Sequence, residues 1–130
     1  MNKIVYNNCY GGFSISDQAV KWLEENASEE DLRKYISNMR SKLERQRKDE
    51  KGELDDFFSI EDEIAWKLKR RLPRHNLDLI KCVETLGEDA NGYYASLSIE
   101  EIEGNEYFIK EYDGAEEVVT PDKVNWITIK

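Results

Sequence analysis

The sequence predicts an α+β fold: an antiparallel β-sheet packed against helices, one of them long, in a single domain covering residues 1–130. Three observations carry this expectation. Helical periodicity fills the middle of the chain, from Ala19 to Leu86. Two-residue alternation and turn dipeptides fill the last third, from Tyr94 to Ile129. A short β-type run comes before both. With 130 residues, 39% hydrophobic and 36% charged, the chain has material for one buried core under a crowded polar surface.

The opening run, KIVYNNCY at 3–10, reads as a strand, and Gly11-Gly12 break it. Ser16 is a credible N-cap for a short helix carried by Ala19, Val20, Trp22 and Leu23 and ending near Asn26. Ser28 with Asp31 resembles a capping box, with Asp in place of the usual Glu. A long helix follows, in which Leu32, Ile36, Met39, Leu43 and Gln46 recur at spacings of 4, 3, 4 and 3. That heptad-like stripe suits packing on a sheet or on a sister helix, so a homo-oligomer, dimer or higher, is expected. Gly52, the acidic run Glu53–Asp56 and Phe57-Phe58 interrupt the pattern. Ile60, Ile64 and Leu68, with Trp66 nearby, restart a helix that Pro73 stops. Asn76 caps a further helix with Leu79, Ile80, Val83 and Leu86 on its apolar face, and Gly87 stands where a left-handed C-terminal cap belongs.

Ala95, Leu97 and Ile99 alternate with Tyr94, Ser96 and Ser98, the pattern of a half-buried strand. Gly104-Asn105 makes a turn. Asp113-Gly114, between runs 107–112 and 115–120, is a strong hairpin signal. Pro121-Asp122 turns the chain again, and 124–129 reads as a last strand. Val124, Trp126 and Thr128 share one face of it, and Asn125, Ile127 and Ile129 the other, so both faces carry apolar residues.

Charge divides the chain in two. Residues 1–75 hold 15 basic and 15 acidic side chains; residues 76–130 hold 4 and 13, so the whole net charge of −9 lies in the last part. This disfavours a partner such as DNA or RNA, whose binding needs phosphate neutralisation. It does not exclude a small anion beside the basic cluster of Lys67, Lys69, Arg70, Arg71 and Arg74. Those cations serve equally as a solvated helix face with surface ion pairs. No apolar run reaches a membrane span. The first ten residues lack the apolar core of a secretory signal, and two cysteines, Cys9 and Cys82, are too few to staple a secreted fold, so the cytoplasm is the expected location.

Reactive chemistry is thinly supplied. His75 is the single histidine, and its neighbours Arg74 and Asn76 do nothing obvious to activate it. No CxxC or paired-histidine spacing points to a metal, and no Walker, GxSxG or GxGxxG motif is present, so no cofactor and no catalytic residue is expected. Two loops stand out. Tyr10-Gly11-Gly12-Phe13-Ser14 joins a strand to a helix, with glycines that permit close approach of backbone to a ligand and aromatics with flat faces. Asn91-Gly92-Tyr93 joins the last helix to a strand, with an amide that can read a base edge or ribose and a ring that can stack. Each loop also reads as a plain tight turn, with Tyr10 and Phe13 in the core.

The blocks Cys9–Ser14 with Ser16–Ala19, Arg74–Ile80 with Val83–Gly87 and Ala90–Gly92, and Glu111–Gly114 resemble those of small phage-encoded proteins, and in particular the phage Thoeris anti-defence sponge family. The blocks cover well under half of the chain. Residues 27–70 match none of them and read as a helical insertion. The resemblance implies a non-catalytic phage protein in the host cytoplasm. It would sequester a cyclic nucleotide immune signal, a cyclic ADP-ribose isomer, and keep the downstream effector silent. Tyr10, Gly11, Gly12, Phe13, Arg70, Arg71, Arg74, Asn91 and Tyr93 are the residues suited to hold such a ligand. Two other readings stand beside it. The acidic C-terminal part could imitate nucleic acid and inhibit a restriction or CRISPR complex, or His75 could act as acid or base on a nucleotide.

Overall fold

The computed structural model describes residues 1–49 and 59–130. The reading of Gly52–Phe58 falls outside them. Among the described residues the order is β1 (Asn2–Asn7), α1 (Asp17–Asn26), α2 (Glu30–Asp49), α3 (Ile60–Arg71), α4 (Leu77–Leu86), β2 (Leu97–Ile102), β3 (Phe108–Tyr112) and β4 (Ala115–Val119). The class is α+β, as the sequence predicts. The sheet differs. One antiparallel layer is replaced by two two-stranded sheets, β1 with β2 in the register Val5–Ile99 and β3 with β4 in the register Lys110–Glu117.

Local chemistry accounts for most boundaries. The Ser16 hydroxyl accepts from the Ala19 amide at 3.1 Å to start α1, and the Asn76 side chain accepts from Leu79 to start α4. Ser59 and Asp62 form a reciprocal capping box at the start of α3. Gly87 ends α4 with φ +58°, and the Asp113-Gly114 turn has φ +50° and +90°, the positive values that a tight hairpin between right-twisted strands requires. The start of α2 is built otherwise than the sequence suggests. In place of a Ser28–Asp31 box, the buried carboxylate of Asp78 on α4 accepts from the Ser28 amide at 2.7 Å and from that of Glu29 at 3.3 Å.

The main core gathers the apolar faces of all four helices with one face of the β1–β2 sheet, through Val5, Leu97 and Ile99. Leu32, Ile36 and Leu43 are buried there, so the α2 stripe packs on helices of its own chain, and Gln46 at its end is exposed. The stripe therefore needs neither a sheet nor a sister helix. Arg40 reinforces this contact. It bonds Glu24 of α1 at 2.8 Å and Glu61 of α3 at 2.6 Å, which raises its pKa further; Glu24 is the largest cause. The region 27–70, as far as it is described, contributes to the same core. A second, smaller cluster of Ile4, Ile102 and Val118 lies between the other face of β1–β2 and the β3–β4 hairpin.

The last predicted strand is absent. After a 3-10 turn at Pro121–Lys123, residues 124–130 pair with no strand among the described residues, and Trp126, Ile127 and Ile129 are 80%, 93% and 94% exposed. Alternation of β-branched residues gives a segment the capacity to pair, but among the described residues no strand lies alongside it. No helix among the described residues is long and apolar enough to cross a membrane.

Candidate functional site

The two loops singled out by their glycines meet in space. Ile15 and Asn91 form an isolated antiparallel bridge, and the Gly92 amide donates to the Ser14 carbonyl at 3.0 Å. The Asn91 side chain faces inward and accepts from the Leu97 amide at 2.9 Å, where it starts β2. A Cβ on Gly11 would stand 1.7 Å from the Tyr94 carbonyl oxygen, and one on Gly92 2.1 Å from Ser14 Oγ. The close approach these glycines permit is thus made by the protein's own chain. Gly12, at φ +89°, supplies the turn itself.

Phe13 is buried and Tyr10 is exposed, so only the first of the two aromatics belongs to the core. The Arg74 guanidinium lies 3.6 Å over the Phe13 ring and makes a two-pronged ion pair with Glu116 on β4, one arm at 2.8 Å. Glu116 also accepts from the Asn7 amide. Arg74 thereby ties β1, the glycine loop and the hairpin together and has little capacity left for a phosphate. Arg70 sits 4.2 Å over Trp66, and Arg71 4.2 Å over Tyr35. The three arginines do not converge: each is engaged with a different aromatic ring.

What the fold does create is a cleft of about 570 Å³ between the Phe13–Ile15 segment, Tyr93 and the outer side of α3. Trp66 and Tyr93 are exposed in its wall, and Arg70 covers one face of the indole. Lys67 and Lys69 lie on its rim, with Asp62 and Glu63 at the first turn of the same helix. Of the residues the sequence singles out, Phe13 and Tyr93 line this cleft, and Arg70 stands behind Trp66. Tyr10, Gly11, Gly12, Arg71, Arg74 and Asn91 are not in its lining. Trp66 and Lys69 also line it, although the sequence presents the first only as a helix residue and the second only as part of a basic cluster. The available signal was position: both fall off the Ile60–Ile64–Leu68 stripe, so a large aromatic is displayed outward on a charged helix.

Other reactive groups lie elsewhere. His75 Nδ1 is 2.7 Å from the Tyr107 hydroxyl, in a second cleft of about 820 Å³ that shares no lining residue with the first. Burial pushes the Tyr107 phenol upward, against the opposing effect of the Arg74 charge. Burial also pushes the Cys82 thiol up to about 12, which leaves it protonated and inert at neutral pH. Cys9 is half-buried, with its thiol 2.9 Å from the Tyr94 carbonyl. Among the described residues no group of His, Cys, Asp or Glu is arranged to hold a metal. Comparison with protein-family models, with curated proteins and with solved structures finds no match to this chain, so the chemistry of the cleft is read from its own geometry.

Proposed function

We propose that this protein is a non-catalytic binder that sequesters a small nucleotide signal, a cyclic ADP-ribose isomer, in the cleft between the glycine loop and α3. It would act as a phage anti-defence protein in the host cytoplasm and work as a homo-oligomer. The observation that carries the reading is the wall of the cleft. Two exposed aromatic faces, Trp66 and Tyr93, stand beside the cations Lys67 and Lys69, in a volume within the range of about 300–1,000 Å³ usual for small-molecule sites. Rings grip a base by stacking, and ammonium groups meet a pyrophosphate. Such a site retains a ligand by slow dissociation and needs no nucleophile or general base. The resemblance of the glycine-loop block, Cys9–Ser14, to the Thoeris anti-defence sponges names the signal.

Cyclic ADP-ribose isomers should raise the melting temperature and be recovered unchanged after the protein is heat-denatured. Recovery of a converted product, or absence of any shift with every isomer, overturns the reading. Trp66→Ala should weaken binding by about 1–3 kcal/mol, the usual value of one stacked base, with Lys69→Gln also weakening it, and both variants should keep the fold because both side chains are exposed.

A second reading has its own observation. Glu100, Glu101, Glu103 and Glu106 line one trough of about 510 Å³, where Glu100 is bonded to Lys123 and Glu101 stands opposite Lys3. A row of carboxylates of this kind suits an acidic mimic of nucleic acid that inhibits a restriction or CRISPR complex. Salt-sensitive binding to a basic nuclease, lost on neutralising these four residues, is its test.

A further inference from the structure

The tail after Lys123 and the outer edge of β2 are complementary halves of a β-ladder that one chain does not complete. The edge follows from the register. Val5 and Asn7 send their amides away from β2, to the Arg74 carbonyl and to Glu116. Their opposite residues, Ile99 and Leu97, therefore sit in pairs without mutual hydrogen bonds and point their own backbone groups outward, as does Glu101 opposite Lys3. The Leu97 amide is taken by Asn91. The amides and carbonyls of Ile99 and Glu101 have no partner among the described residues, so β2 presents an open pairing edge.

The tail has what that edge lacks. Among the described residues, 124–130 make one backbone hydrogen bond, from the Val124 amide to the Pro121 carbonyl at the turn. Their apolar side chains alternate on both faces, with Trp126 on one and Ile127 and Ile129 on the other. The β1–β2 sheet is itself covered on both faces, by the main core through Val5 and Ile99 and by the smaller cluster through Ile4 and Ile102. A strand apolar on both sides fits only a sheet of this kind. Charge agrees: from Lys123 to Lys130 there is no acidic residue, while β2 and the following turn carry Glu100, Glu101, Glu103 and Glu106. The same glutamates oppose direct pairing of two β2 edges, since like charges would face each other.

We propose that residues 124–130 form a donor strand that adds to the outer edge of β2 in a second copy of this chain, giving a reciprocal two-fold dimer. Its own edge is a poor acceptor. The Lys123 ammonium bonds the Glu100 carboxylate at 3.2 Å, near the middle of β2, so a tail kept at that contact starts beside the middle of the strand and not at its end. A second copy offers the whole edge. The interface is independent of what the cleft between the glycine loop and α3 binds.

Light scattering of the full chain should give the mass of a dimer, and hydrogen exchange should show the Ile99 and Glu101 amides protected. Ile127→Lys with Ile129→Lys should give a monomer with an unchanged circular dichroism spectrum and lose that protection, because these side chains are more than nine-tenths exposed within the single chain. Of Ile127→Pro and Thr128→Pro, one should break the dimer and the other leave it, since only alternate amides face the ladder. A monomeric wild type overturns the proposal, even one with protected Ile99 and Glu101 amides, which would mean closure on its own edge. A dimer that survives the lysine substitutions overturns it equally.

Discussion

At the scale of single residues, the glycine loop is shaped by side chains that are missing. Gly11 lies against the Tyr94 carbonyl, and Tyr94 itself holds φ +62°, an unusual value for a residue with a bulky side chain. The Cys9 thiol bonds that same carbonyl, so the two loops beside the cleft share one crowded contact. Gly11→Ala would place a methyl group inside backbone atoms that have no rotamer to escape through. The expected cost is about 1–3 kcal/mol, the usual range for overpacking, read as a lower melting temperature. Gly104→Ala is the control, because a Cβ there meets nothing within 4 Å. Equal melting temperatures for the two variants would show that the loop contact is looser than described.

At the scale of elements, what the sequence makes legible is local and what it hides is paired. Ser16, Asn76 and Gly87 mark helix ends, and Asp113-Gly114 marks the hairpin, because each acts on backbone within a few residues of itself. Asp78 capping the start of α2 is invisible, since donor and acceptor lie 50 residues apart. The tail reads as a strand because alternation reports propensity, whereas a strand exists only with a neighbour. The cleft divides in the same way: Phe13 and Tyr93 stand out beside their glycines, while Trp66 becomes a wall only when α3 is brought to the loops. The junction of α1 and α3 adds a tension of the same hidden kind. The Ser59 hydroxyl donates to the Asp17 carboxylate and accepts from the Asp62 amide, and the Asp17 pKa is raised, first by burial and then by the hydrogen bond to the Asp62 carboxyl and its charge. A carboxyl whose folded pKa is raised opposes folding when ionised, and the opposition is relieved as pH falls through the raised value. Asp17→Asn should therefore raise the melting temperature at neutral pH. The gain should shrink on acidification and vanish below the ordinary aspartate range, where the native carboxyl is neutral in both states. A gain independent of pH would assign the effect to packing instead.

At the scale of the whole molecule, two cores of unequal size share one thin sheet. The helices and one face of β1–β2 make the larger; Ile4, Ile102 and Val118 make the smaller, under the hairpin. A two-stranded hairpin is marginal by itself, so β3–β4 depends on what fastens it. Three ties do so besides that small cluster: the Arg74–Glu116 ion pair, the Asn7 amide bonded to Glu116, and the Asn7 side chain bonded to the Gly114 carbonyl at 2.8 Å. Glu116 takes part in two of them, with its side chain only 4% exposed and that of Arg74 15%. Removing one member of a buried pair leaves the other charge without a partner and costs about 3–5 kcal/mol. The helices do not rest on this contact. Glu116→Ala should therefore strip hydrogen-exchange protection from residues 108–119 while α1 and α4 keep theirs, because the smaller core opens before the larger. Replacing both members, with Arg74→Met and Glu116→Leu, should restore much of the hairpin's protection, since an apolar pair of similar size removes the stranded charge. If Glu116→Ala instead lowers protection in hairpin and helices together, the two cores unfold as one unit, and the ion pair is a tie within a single cooperative structure rather than the joint between two.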